Sequence, residues 1–162
     1  MIVFVYGSLL NDKIRAIVFA DTISNIRIES ATAKNYATYC FPGESFPILK
    51  PTPNAITYGE VLYGLNDEAI ARLAFFEGDE YALADIRVHL SDGKCINAKY
   101  NEAKDLALPA CNQPWDFKQW QVQESVKFIH IVEQFMSRSW GKTDIKSASA
   151  IWDELRAQAN ND

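Results

Sequence analysis

Apolar residues follow one spacing before Trp115 and another after it, and that switch limits the fold classes open to this chain. Over the first hundred residues they fall into short runs bounded by Gly, Pro, Asn and Asp. Ile2–Tyr6 ends at Gly7 and reads as a buried strand. Arg27 to Tyr39 mixes β-branched and aromatic residues and reads as a strand with a bend. Tyr58–Leu65 is strand-like, Glu80–Leu90 more clearly so, and Lys94–Tyr100 completes a hairpin across Ser91-Asp92-Gly93. From Trp115 onward the period changes. Val122, Val126, Ile129, Val132 (or Glu133), Met136 and Trp140 follow helical spacing over about seven turns, and Ile145–Ala159 is a shorter amphipathic helix. A strand–helix start, a run of strands and then terminal helices predict an α+β fold with a closed or nearly closed sheet.

Punctuation between these elements sharpens the reading. Asn11 or Asp12 can cap a helix that runs to roughly Ala20, with Ile14, Ile17 and Val18 on one face. Pro42, Gly43, Pro47, Pro51 and Pro53 crowd the stretch after Tyr39. Proline denies a sheet its hydrogen-bond donor, so this stretch is expected to be an irregular loop or an edge. No repeat, low-complexity tract or Gly/Ser linker divides the sequence, and residues 1–162 read as a single domain, with the terminal helices from about 115.

Composition excludes several function classes. With 48% apolar residues, disorder is not expected. Sixteen basic against 21 acidic residues, a net charge of -5 and no Lys/Arg stripe argue against nucleic acid as a partner. No apolar run approaches the ~18 residues of a membrane span, and Ile2–Tyr6 is too short for the hydrophobic region of a signal peptide. The cysteines, Cys40, Cys95 and Cys111, are widely spaced with no Cys-x-x-Cys pair, so neither a zinc knuckle nor a redox dithiol is expected. Reduced, partly buried thiols in a cytoplasmic protein are the simplest reading.

One acid stands on the wrong face of its helix. Asn66 is a good N-cap, Asp67 and Glu68 suit the positive helix start, and Leu65 with Ile70 forms a hydrophobic staple. At 100° per residue, Ala69, Ile70, Leu73, Ala74 and Phe76 share one side, with Glu77 near its middle, and Gly78 supplies the stop. Burial and the negative end of the helix dipole both favour the protonated carboxyl, so the pKa of Glu77 is expected to be raised. A carboxyl tuned toward neutrality suits general acid–base chemistry. The bland alternative has the last turn fraying, with Glu77 turned outward or paired with Arg72 or Arg87.

The strand–Gly7-Ser8–helix start resembles an anion site, yet no second glycine and no Lys-Ser/Thr follow, so it matches neither dinucleotide nor phosphate-loop patterns. Ser8 lacks a Gly-x-Ser-x-Gly setting. His89 alternates with Val88 and Leu90, and His130 shares a helix face with Gln123, Lys127 and Gln134. Both histidines are expected to face solvent.

Taken together, these segments resemble one family. Val5-Tyr6-Gly7-Ser8-Leu9 looks like the signature loop of the gamma-glutamylcyclotransferase-like (avirulence-induced-gene type) proteins. Phe41-Pro42-Gly43 and Phe46-Pro47-Ile48 resemble the family's aromatic–Pro segment, and Tyr58-Gly59-Glu60-Val61-Leu62-Tyr63 its Gly-containing strand. Phe76-Glu77-Gly78-Asp79-Glu80-Tyr81 resembles its Glu-Gly…Tyr motif, and Trp115-Asp116-Phe117, Trp120, Phe128 and Phe135-Met136 are similar to the C-terminal helix of its plant-type members. The resemblance covers about residues 1–140. It implies a small mixed β-barrel with flanking helices. It further implies an enzyme that releases 5-oxoproline and an amine from a small gamma-glutamyl compound, without metal or organic cofactor. Glu77 takes the place of the catalytic acid/base. Tyr6, Gly7, Ser8 and Leu9 take the place of the loop that grips the glutamyl head, and Tyr81 stands as a hydrogen-bonding wall or as a structural tyrosine. Many relatives carry Arg two residues after that tyrosine, where this chain has Leu83. A non-catalytic binding or interaction module on the same fold is the rival reading.

Overall fold

A computed structural model of the chain describes residues 1–104 and 112–162, and Cys111 lies outside them. Five strands close into a barrel in the order β1-β3-β2-β4-β5: β1 (Val3–Val5), β2 (Arg27–Cys40), β3 (Pro47–Tyr63), β4 (Tyr81–Leu90) and β5 (Cys95–Ala103). Neighbours are antiparallel except β1 and β5, whose parallel contact closes the barrel. Helices α1 (Asp12–Phe19), α2 (Asp67–Glu77), α3 (Phe117–Gln123), α4 (Ser125–Ser139) and α5 (Ile145–Asn160) complete the chain. None of the described helices is long and apolar enough to cross a membrane.

The short strand β1 is buried on both faces, as its unbroken apolar run requires. Alternation sends Phe4 and Tyr6 into the barrel with Ala33, Leu49, Val61, Val88 and Tyr100. Val3 and Val5 point the other way, into a second core shared with Ile14, Phe19, Leu73, Phe128 and Phe135 from the helices. Gly59 makes the crossing possible. A Cβ there would lie 2.3 Å from the Val5 carbonyl oxygen and 2.6 Å from the Phe4 ring.

Several sequence expectations need correction. The proline-rich stretch holds both forms expected of it, turns and bends over residues 42–46 and then an edge, but that edge is regular strand from Pro47 onward, within a 17-residue β3. Its pairing explains the tolerance: Pro47 and Pro51 lie opposite Cys40 and Tyr36 of β2, while β1 joins β3 only from Glu60 to Leu62. The prolines therefore occupy an edge half of the ribbon, where one neighbour is missing. The bend in β2 is a register shift between Lys34 and Tyr36, where Asn35 takes φ 63° and its side-chain oxygen accepts from the amide of Asn54.

The long C-terminal helix is two helices. Glu124 leaves helical geometry (φ -120°), which resets the phase. Val122 and Val126 are consequently 84% and 80% exposed, and the buried stripe is Phe128, Ile131, Val132, Phe135 and Met136. On α2 the buried face is Ala69, Arg72, Leu73 and Phe75, about a residue's rotation from the face expected, and Ala74 is exposed. Cys95 is exposed rather than partly buried. His89 is half-buried, and its Nδ1 has no hydrogen-bond partner among the described residues, whereas His130 is exposed as expected.

Candidate functional site

The Asn66 side chain accepts from the Ala69 amide and starts α2, and Gly78, at φ 67°, ends it. Glu77 is thus the last helical residue, and Asp79 and Glu80 follow in a short 3₁₀ turn before β4. Arg72, the cation considered for Glu77, is spent elsewhere. Its Nε donates to the Val18 carbonyl at 2.6 Å and its Nη2 to that of Ile17 at 3.4 Å, at the C-terminal end of α1. Its guanidinium also lies 5.0 Å over the Trp140 ring. Arg87 is exposed and takes part in no ion pair among the described residues.

Without a cation, Glu77 has one hydrogen-bond partner among the described residues. Asn101 Nδ2 donates to its Oε1 at 3.1 Å. Burial pushes the Glu77 carboxyl up to about 8, against the opposing pull of that bond. Glu77 as a residue is half-buried and lines a cavity, while its carboxyl group is enclosed by protein.

That cavity, of about 140 Å³, brings together every site residue expected from sequence: Tyr6, Gly7, Ser8, Leu9, Glu77 and Tyr81 all line it. The Tyr6–Leu9 loop is fixed from two sides. Arg15 of α1, buried, donates to the Leu9 carbonyl at 2.9 Å and to Glu60 at 3.3 Å. Asn11 caps α1 by accepting from the amides of Lys13 and Ile14. Gly7 lets the loop touch β3, since a Cβ there would meet Pro47 Cγ at 2.9 Å.

Both tyrosine protons are committed. Tyr6 donates to the Asn101 carbonyl at 2.6 Å, and Tyr81 donates to the Pro47 carbonyl at 2.9 Å. Burial first, then neighbouring negative charge, raises both hydroxyls well above their ordinary value, so both stay protonated. Tyr81 therefore shapes the wall, with its proton held by the backbone.

Other lining residues were not named as site residues from the sequence, although Phe46 belongs to the aromatic–Pro segment. Asn101 is buried beside buried Tyr100, and strand alternation gives no sign of that. Phe46 comes from the proline-rich stretch, and Ser149, Trp152 and Asp153 from α5. Neither histidine lines the cavity. Among the described residues no group of three or more His, Cys, Asp or Glu side chains is placed to hold a metal. Glu80, by contrast, does line the cavity.

A family model described as "Gamma-glutamyl cyclotransferase, AIG2-like" matches residues 3–120, well over half of the chain. This chain belongs to that family. Among its AIG2-like relatives, protein AIG2 A of Arabidopsis thaliana is 29% identical over 143 residues, covering 86% of this chain and 80% of the relative. AIG2-like protein D of the same plant is 29% identical over 137 residues, covering 82% and 87%. Solved structures share the fold. An Arabidopsis thaliana solution structure superposes with a TM-score of 0.62 at 24% identity, over 84% of this chain and 90% of that one. A structure titled gamma-glutamyl cyclotransferase gives 0.54 at 15% identity, over 64% and 66%. The barrel with flanking helices is thus the architecture of the gamma-glutamyl cyclotransferase, AIG2-like proteins.

Proposed function

We propose that the chain is a cytoplasmic gamma-glutamyl cyclotransferase-type enzyme, folded as one domain over residues 1–162. It releases 5-oxoproline and a free amine from a small gamma-glutamyl compound. The observation that carries this reading is Glu77: a carboxyl with no counter-cation among the described residues, raised to about 8 by burial, bordering a cavity walled by the Tyr6–Leu9 loop. A carboxyl without a protein partner for its charge costs stability, and a proton-transfer role supplies the reason to keep it.

The chemistry needs one proton carrier. The substrate's α-amine gives a proton to the Glu77 carboxylate as its nitrogen attacks the γ-carbonyl carbon. The tetrahedral intermediate then collapses, the bond to the departing nitrogen breaks, and Glu77 returns the proton to that nitrogen. No water is consumed and no electron pair leaves the system. Ring closure is intramolecular, so the remaining task is to hold a folded conformer, which a rigid loop and a shaped cavity serve. Backbone groups of Tyr6, Gly7, Ser8 and Leu9 grip the glutamyl head and steady the developing oxyanion. Tyr81 closes the wall behind it.

The rival reading is a binding module that keeps the cavity without turnover. Leu83 favours it: this exposed β4 residue pairs in register with Asn101, at the position where the family resemblance implies Arg. The test is 5-oxoproline release from gamma-glutamyl dipeptides, gamma-glutamyl-amines and glutathione. Release from any of them, lost on Glu77→Gln, supports the enzyme. Tight binding with no release from the whole panel selects the module.

A further inference from the structure

The cavity has two chemically different walls. Glu77, Asn101 and the Tyr6–Leu9 loop form one, and α5 supplies the other through Ser149, Trp152 and Asp153. The Trp152 ring stands 5.3 Å from Phe135, 5.6 Å from Phe128 and 6.3 Å from Phe46, and Phe46 stands 6.3 Å from Tyr81. An aromatic surface therefore runs from beside Glu77 to α5 in two ring contacts. Trp152 and Phe46 are half-buried, so ring surface remains open to a guest.

The titratable carboxyls on this cavity have no basic counterpart among the described lining residues. Its described acidic lining residues are Glu77, which burial keeps largely protonated at neutral pH, Asp79, Glu80 and Asp153, with no Lys or Arg among them. The cation one turn along α5, Arg156, pairs with Glu44, and with Asp153 at 3.5 Å, and it faces a neighbouring groove. A carboxylate carried by the leaving group would lose water among acids and find no described cation lining the cavity, whereas a flat apolar group would find rings. The α5 wall also lies beyond the residues 3–120 that match the family model.

We propose that Trp152, Phe46 and Asp153 form a leaving-group subsite selecting gamma-glutamyl derivatives of primary amines that carry an aromatic body and no carboxylate. The proposal rests on the gamma-glutamyl reading of the site, and its test separates the two. Three substrates isolate the features: gamma-glutamyl-phenethylamine, gamma-glutamyl-phenylalanine, which adds only a carboxylate, and gamma-glutamyl-ethylamine, which removes only the ring. The first should exceed each of the others in kcat/KM by about tenfold or more, the scale on which apolar pockets discriminate. Trp152→Ala should shrink the ring preference. Ser149→Arg, at an exposed α5 position, should raise the phenylalanine derivative relative to the phenethylamine one, a gain that damage to the fold does not produce. Calorimetry with phenethylamine and phenylalanine alone needs no turnover. Phenethylamine binding that Trp152→Ala weakens, with no 5-oxoproline from any substrate, keeps the subsite and overturns the cyclotransferase reading. Equal kcat/KM for the three substrates overturns the subsite and keeps the enzyme. No binding and no turnover overturns both.

Discussion

Asn101 reaches Glu77 from the barrel side, its Nδ2 donating to Oε1 at 3.1 Å while its own carbonyl oxygen accepts the Tyr6 hydroxyl at 2.6 Å. One β5 residue thus ties the end of α2 to the loop after β1. A donor to Glu77 favours the carboxylate and opposes burial, and burial is the larger effect.

Removing that donor should move the titration of Glu77 upward. Hydrogen bonds to charged groups are worth about 1.5–3 kcal/mol, so Asn101→Ala is expected to raise the Glu77 pKa by about one to two units. The Tyr6 bond goes to the Asn101 backbone and survives the substitution. Carbon-13 NMR of glutamate carboxyls, with Glu77 assigned by its loss in Glu77→Gln, reads the shift directly. The acid limb of kcat/KM should follow it. An unmoved titration would remove Asn101 from any role in tuning the acid.

Glu77→Gln should lower kcat by roughly 10²–10⁴, the range for a general acid–base group, while substrate affinity stays within about tenfold. The amide keeps the shape and cannot take the proton. Glu80 is no neutral control, because it lines the cavity and burial raises its carboxyl. Glu133, exposed on α4, serves instead. A Gln variant that keeps most of its kcat would end the catalytic assignment.

The raised pKa of Glu77 also has a sign in stability. The folded protein holds this proton to about 8, against an ordinary value of 4.5. Below 4.5 both states are protonated and the group costs nothing. As pH rises from there to about 8 the unfolded chain ionises first, so the native state loses stability, and the loss levels off above. The cost at neutral pH is on the order of 2–3 kcal/mol. Glu77→Gln should therefore be more stable than the parent at pH 7.5, with the difference shrinking toward pH 4.5. Denaturant melts at both values measure it. A Gln variant weaker than the parent only at pH 7.5 would make Glu77 a paired structural carboxylate.

Activity should survive chelator and replacement of the cysteines. Cys95 is exposed on β5, Cys40 closes β2, and neither lines the cavity. Assays with EDTA, and with Cys40→Ser, Cys95→Ser and Cys111→Ser, should show turnover within about twofold. Activity that disappears in EDTA and returns with zinc or magnesium would require a different mechanism.

Local rules were enough to read those parts of the molecule whose cause is local. The Asn11 and Asn66 caps, the Gly78 stop and the β4–β5 hairpin each depend on a few adjacent residues, and each stands where the sequence puts it. Glu77 belongs with them in part, since its helix and its distance from the cap follow from sequence. Its isolation from cations does not. Arg72 lies one turn and a residue away on the same helix, and only packing against α1 and Trp140 shows that it is engaged. Edge pairing decided that the prolines lie in a strand, because proline's missing donor is harmless only where a neighbouring strand is absent. The break at Glu124 was invisible for a similar reason. Apolar residues on both sides of it fit one helical period, and burial separates Val122 and Val126 from the stripe that packs. Asn101 and Trp152 reach the cavity from segments 24 and more residues beyond Glu77. Sequence singled out Glu77 as the acid at the end of its helix; closure of the barrel and the return of α5 decided what surrounds it, because those neighbours are far along the chain and meet only in the folded protein.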